Sequence, residues 1–85
     1  MKPILIVITE TVNPTNIKAF RFYDRDSATE FLKETYTNII REIELYDYEN
    51  SYITKEFDFA QVSSGINTYR IFLCDNITEV SKTQK

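Results

Sequence analysis

Ser27-Ala28-Thr29-Glu30-Phe31-Leu32-Lys33-Glu34-Thr35-Tyr36-Thr37-Asn38-Ile39-Ile40-Arg41-Glu42-Ile43-Glu44-Leu45-Tyr46 sets the architecture of this chain. Ala28, Phe31, Leu32, Tyr36, Ile39, Ile40, Ile43 and Tyr46 recur at helical spacing and form one broad stripe. Lys33, Glu34, Thr37, Asn38, Arg41 and Glu44 lie outside it. The spacing predicts a helix over about Ala28–Tyr46. Its start has the chemistry of a capping box: the Ser27 hydroxyl can accept from the amide of residue 30, and Glu30 can reach back. A helix with one apolar stripe buries one face, so it needs a sheet to lie on.

The flanking segments supply that sheet. Upstream, Pro3–Thr11 contains the run Ile4-Leu5-Ile6-Val7-Ile8, apolar on both faces as a central strand would be. Pro3 can only open such a strand, because it lacks the ladder donor. Asn13-Pro14-Thr15-Asn16 reads as a turn, and Ile17–Asp24 then alternates, with Phe20 and Phe22 opposite Ala19, Arg21 and Tyr23.

Downstream, Asp47–Ser51 is a polar link. Tyr52–Val62 reads as a third strand, with Ile53, Phe57 and Phe59 on one side and Thr54, Glu56 and Asp58 on the other. Ser63–Asn67 is a short hairpin loop holding Gly65, the single glycine, at the position where a positive φ is expected. Thr68–Asp75 is the fourth strand, with Tyr69, Ile71 and Leu73 opposite Arg70, Phe72 and Cys74.

The expected architecture is therefore α+β, ββαββ: a four-stranded sheet with one helix packed on one face. The two most apolar strands belong at the centre. This favours strand order 2-1-4-3 with a parallel central pair, and leaves 2-1-3-4 open. Residues 1–76 form a single domain, and 77–85 a polar C-terminal tail. Phe22 and Phe59 are expected under the helix.

Composition narrows the chemistry. The chain of 85 residues has no His, one Gly and one Cys. Imidazole bases, Ser-His or Cys-His pairs and glycine-rich phosphate loops are thereby excluded. Cys74 has no internal disulfide partner, which suits a reducing compartment. The apolar run at the N-terminus stops after five residues, short of a signal-peptide core, and nothing approaches a membrane span. The location expected is cytoplasmic. Eleven Ile, six Asn and six Lys against three Ala lean toward AT-rich codons, as in a low-GC bacterium or one of its mobile elements.

One helix covers one sheet face, so function is sought on the other. That outer face is expected to carry Arg21, Tyr23, Thr54, Glu56, Asp58, Thr68, Arg70, Phe72 and Cys74, with Leu5 and Val7 between them. It could be solvated, with Arg21 and Arg70 pairing across strands with Glu56 and Asp58. It could equally be a docking surface, since Tyr and Arg anchor interfaces and an apolar patch would otherwise stay open.

The second reading is preferred, with Arg21, Tyr23, Glu56, Asp58, Arg70 and Phe72 as partner-binding residues. A symmetric homodimer through this face would set the arginines of one copy against the carboxylates of the other. The function expected is a small acidic, non-enzymatic protein-interaction module, encoded by a phage or mobile element and acting as an inhibitor or adaptor of a host protein. No catalytic residue, metal site or cofactor is expected, and no membrane partner.

Two rivals concern nucleic acid. The Arg and Tyr side chains of the outer face could stack single-stranded bases, but net charge −3 and the absence of an RNP-type or GXXG motif weigh against it. Glu42, Glu44, Asp47 and Glu49 could mimic phosphates, but Glu42 and Glu44 diverge by roughly 200° around a helix and make no ridge.

Overall fold

The computed structural model describes residues 2–77. One helix packs on a five-stranded, wholly antiparallel sheet. The elements are β1 (Ile4–Glu10), β2 (Lys18–Phe22), α1 (Arg25–Glu42), a short 3-10 turn (Tyr48–Asn50), β3 (Tyr52–Ile53), β4 (Phe59–Ser63) and β5 (Thr68–Cys74). The order across the sheet is β2-β1-β5-β4-β3. Of the expected tail, 77–85, all but Ile77 lies outside the described residues.

The first hairpin forms as its sequence demands. Pro14 sits in a turn closed by Asn16 N–H donating to the Asn13 carbonyl at 2.9 Å. The register Ile4↔Phe22, Ile6↔Phe20 and Ile8↔Lys18 then follows, with the phenylalanines on the helix side. Gly65 has φ +82 with open space where a Cβ would stand, so backbone conformation alone requires glycine there.

The helix starts three residues before the expected cap. Asp24, not Ser27, is the N-cap, and its carboxylate accepts from Ser27 N–H at 2.8 Å. Both residue types cap well, and Asp24 comes first after β2 ends. Its negative charge also suits the positive end of the helix dipole. At the other end the chain leaves the helix at Ile43, four residues short of the expected extent through Tyr46. Eighteen residues of helix span roughly 27 Å, against roughly 24 Å for a strand of seven. The helix is then already longer than the strands it lies on. Tyr46 instead folds back until its hydroxyl is 3.5 Å from that of Tyr36.

The larger correction is at Tyr52–Val62, which is a tight hairpin and not one strand. Phe57 N–H donates to the Thr54 carbonyl at 3.1 Å, and Thr54 N–H to the Phe59 carbonyl at 2.9 Å. The Thr54 hydroxyl accepts from Asp58 N–H and Phe59 N–H, each at 3.1 Å, and lies 2.6 Å from the Asp58 carboxylate. Phe57 takes φ 58, a conformation usually left to Gly or Asn. Packing offsets the strain. The Phe57 ring sits against the core, with Lys33 Nζ 4.8 Å from its centre.

This extra reversal changes the direction of everything after it. Without it, the last strand would run parallel to β1. With it, β5 is antiparallel to β1, in register Ile6↔Leu73 and Ile8↔Ile71. The expected parallel central pair is therefore wrong, and so is the count of four strands. The reversal also moves Phe59, which pairs with Phe72 on the face away from the helix.

The core is Ile6, Ala28, Leu32, Ala60 and Ile71, all fully buried, ringed by Ile4, Ile8, Phe22, Phe31, Tyr36, Ile39, Ile53, Phe57 and Leu73. Ala60 lets the helix approach β4 closely. Phe31 stacks against Phe20 and Phe22 with ring centres 4.8 and 5.2 Å away. Leu32→Ala should cost about 2–5 kcal/mol in urea titration, because a sealed site cannot fully collapse. Phe59→Ala should cost well under half as much, since its ring lies on the open face. Asp24→Ala should cost about 0.5–2 kcal/mol, and Ser27→Ala much less, as Ser27 contributes its backbone and not its hydroxyl to the cap.

Candidate functional site

The face of the sheet away from α1 is built in rows by the strand register. One row reads Ala19, Val7, Phe72, Phe59 across β2, β1, β5 and β4. A second reads Thr9, Arg70, Gln61, Tyr52 across β1, β5, β4 and β3. A third reads Arg21, Leu5, Cys74. The middle of the face is thus apolar. Phe59 and Phe72 lie 5.1 Å apart between ring centres, and Tyr52 and Phe59 5.8 Å. No described segment lies over this surface, and Tyr52 is 47% exposed.

Arg21 and Arg70 frame the apolar rows. Arg70 donates through Nε to the Gln61 side chain at 3.2 Å, which holds the guanidinium along the sheet. Among the described residues neither arginine has a carboxylate within ion-pair distance; the ion pairs there are Arg25–Asp75 and Lys33–Glu30. Backbone alternation after Arg21 carries Tyr23 toward the same side, 56% exposed beyond the end of β2.

Of the six residues singled out from the sequence, Arg70 and Phe72 sit together at the centre of this face, with Arg21 two strands away. Glu56 and Asp58 are not on it. Both belong to the β3–β4 turn, where Asp58 is engaged by the Thr54 hydroxyl. The expected cross-strand pairing of Arg21 and Arg70 with Glu56 and Asp58 does not occur: Glu56 lies in the turn, and the Asp58 carboxylate is held by Thr54 while the Asp58 carbonyl still accepts from Leu73 N–H at 2.8 Å. Thr54, where the turn begins, leaves the face as well.

Two residues of the face were not legible as such. Phe59 and Gln61 join it only once the break at Thr54 is known, whereas Tyr52 lies ahead of the break and its alternation with Ile53 already turns it outward. A run of threonine followed by a charged pair, Thr54-Lys55-Glu56, before an alternating segment is the signal that could have marked the break.

A polar clamp at one end of the sheet was also unforeseen. The Glu10 carboxylate accepts from the side-chain amides of Asn16 at 2.9 Å and Asn67 at 3.3 Å, and the Asn67 side-chain oxygen Oδ1 accepts from Val12 N–H at 3.1 Å. It ties the β1–β2 and β4–β5 loops together and holds the rows of the outer face in register.

The chemistry of the face is that of contact. Burial and the neighbouring Asp75 charge push the Cys74 thiol above its usual range, which keeps it protonated and a poor nucleophile at neutral pH. Among the described residues no group of three or more Asp, Glu, Cys or His side chains converges. None of the described helices is long and apolar enough to cross a membrane. On the helix side, burial, with the Tyr46 hydroxyl adding to it, raises Tyr36 from 10.0 to about 12. Asp47 is held below the usual carboxylate range by the Asn50 side chain, with which it fixes the 3-10 turn.

No family model, curated protein or solved structure matches the chain.

The Tyr36 shift has a sign that can be tested. The folded state favours the protonated phenol, so its contribution is intact below pH 10.0 and is lost as pH rises toward about 12. Absorbance titration should show a tyrosine step as late as about pH 12, and Tyr36→Phe should abolish it.

Proposed function

We propose that this chain is a non-enzymatic protein-interaction module whose docking surface is the outer face of the sheet. The observation that carries the reading is the apolar row Ala19–Val7–Phe72–Phe59 with Tyr52 beside it, framed by Arg21 and Arg70 and free of acidic residues. A flat surface with aromatics at its middle and arginines beside them is the composition of an interface core and its anchors. Its charge is opposite to that of the whole chain, which is −3. The partner that fits is therefore a protein with an apolar patch bordered by carboxylates, and the chain would act on it as an inhibitor or adaptor by occupying that patch.

The charge pattern disfavours a second copy on this face. Glu56 and Asp58 would have supplied the complementary charge, and they lie in the β3–β4 turn. Two copies meeting face to face would bring Arg21 and Arg70 toward like charges.

A second reading is favoured by that same absence of carboxylates. Arg21 and Arg70 beside Phe72, Phe59 and Tyr52 could also stack single-stranded nucleic acid, since stacking on aromatics needs no sequence signature. Two arginines would give a weak salt dependence, with a log–log slope of about −1.4.

The test uses the chain as bait in parallel with Arg70→Glu and Phe72→Ser, and with Asn38→Glu on the exposed side of the helix as the control. A protein partner of this face should be retained by the wild type and the control and lost from both outer-face variants. Retention by all four would remove the outer face as the docking surface. Binding of oligo-dT in place of any protein, with the weak salt slope above, would decide for the second reading.

A further inference from the structure

The free edge of β2 is a separate surface from the outer face, and it points to a specific occupant. Thr11 N–H donates to the Thr68 carbonyl, so odd-numbered residues of β1 turn their backbone groups toward β5 and even-numbered ones toward β2. In register, Lys18, Phe20 and Phe22 bond to β1, and Ala19 and Arg21 direct their N–H and C=O groups away from the sheet. Among the described residues nothing meets those groups.

The opposite edge is treated differently. There the outermost strand, β3, is only two residues long, and beside it the Ser63 N–H of β4 donates to Ser51 Oγ at 2.8 Å while the Ser63 carbonyl accepts from Asp47 N–H at 2.9 Å. Gln61 donates to the Asn50 carbonyl at 2.7 Å. One edge is cut to two residues and flanked by its own chain, and the other presents a five-residue open ladder beside Phe20, which is 38% exposed.

We propose that a second copy of this chain pairs antiparallel with β2 across a two-fold axis at Phe20, joining two five-stranded sheets into one. That register sets Ala19 opposite Arg21 of the second copy, so the two outward-pointing residues satisfy each other's N–H and C=O groups in both directions. Phe20 meets Phe20 on the helix side, next to Phe31. Lys18 of the second copy falls opposite Phe22.

The charges there are complementary. Phe22 borders a recess lined by Asp26, Ser27, Glu30, Phe31 and Glu34, with the three acids one helical turn apart on the ridge of α1 that overlooks β2. The only cation these acids contact within the described chain is Lys33, through Glu30 at 3.8 Å. Lys18 has no ion-pair partner among the described residues, although its own groove also contains Glu10 and Glu42. Two-fold pairing brings each Lys18 to the other copy's acidic ridge, twice per dimer. It also leaves both outer faces on the same side, so the two docking surfaces become one continuous sheet.

Light scattering across a concentration series should show the mass rising from 10.1 kDa to twice that value. Ala19→Pro removes only an outward-facing donor from an edge strand, a position where proline is tolerated, and should return the mass to that of one chain. Lys18→Glu should do the same by setting acid against acid, and adding Glu30→Lys to it should restore the dimer. Hydrogen exchange at the amides of Ala19 and Arg21 should slow with concentration in the wild type. A wild type that stays at one chain's mass at every concentration overturns the proposal. So does a dimer indifferent to both Ala19→Pro and Lys18→Glu, and one lost on Phe72→Ser alone belongs to the outer face. If Ala19→Pro does not fold, the Lys18→Glu and double-variant pair decides.

Discussion

The Thr54 hydroxyl accepts from the amides of Asp58 and Phe59 and holds the chain in a reversal between Ile53 and Phe59. Most of the sheet depends on that reversal. It sets the direction of β4, and through the Gly65 loop that of β5, which must then run antiparallel to β1. It leaves Ala60 and Val62 facing the helix and turns Phe59 outward. It also places Glu56 and Asp58 in the turn, so that the strand rows of the outer face carry arginines and no carboxylate. A local hydrogen-bond pattern worth about 1 kcal/mol per bond thus decides the charge of a surface some strands away.

The positive φ at Phe57 shows how such a turn is maintained without glycine. A non-glycine residue in the left-handed region costs of order 1–3 kcal/mol. Phe57 offsets this by burying its ring against the core under the Lys33 ammonium. Turn and core are therefore coupled: the helix that covers the sheet also holds the residue that bends it.

The two surfaces left open by this arrangement differ in kind. The outer face is a patch of side chains, apolar at its centre, with Arg70 held along the sheet by Gln61. The β2 edge is a row of backbone groups, whose affinity is generic and whose selectivity must come from Lys18 and the acidic ridge of α1. The two can act independently, since one lies in the plane of the sheet and the other normal to it.

Much of this was written in the sequence. The apolar stripe of α1, the alternation of β2 and β5, the Pro14 turn and the Gly65 loop each depend on residues close in the chain, where period and turn chemistry act directly. Arg21, Arg70 and Phe72 could be assigned to one face because strands carry their period unbroken. The end of α1 and the break in Tyr52–Val62 could not be read that way. The stripe of α1 continues to Tyr46, but the helix stops at Glu42, already longer than the strands it covers. The alternation of Tyr52–Val62 fits one long strand as well as two short ones. Only the packing of Phe57 under Lys33, with the pairing of β4 between β3 and β5, selects the hairpin. Local periodicity fixes which way side chains point along an unbroken strand. Contacts between distant segments decide where a strand is broken, and with it which residues share a face.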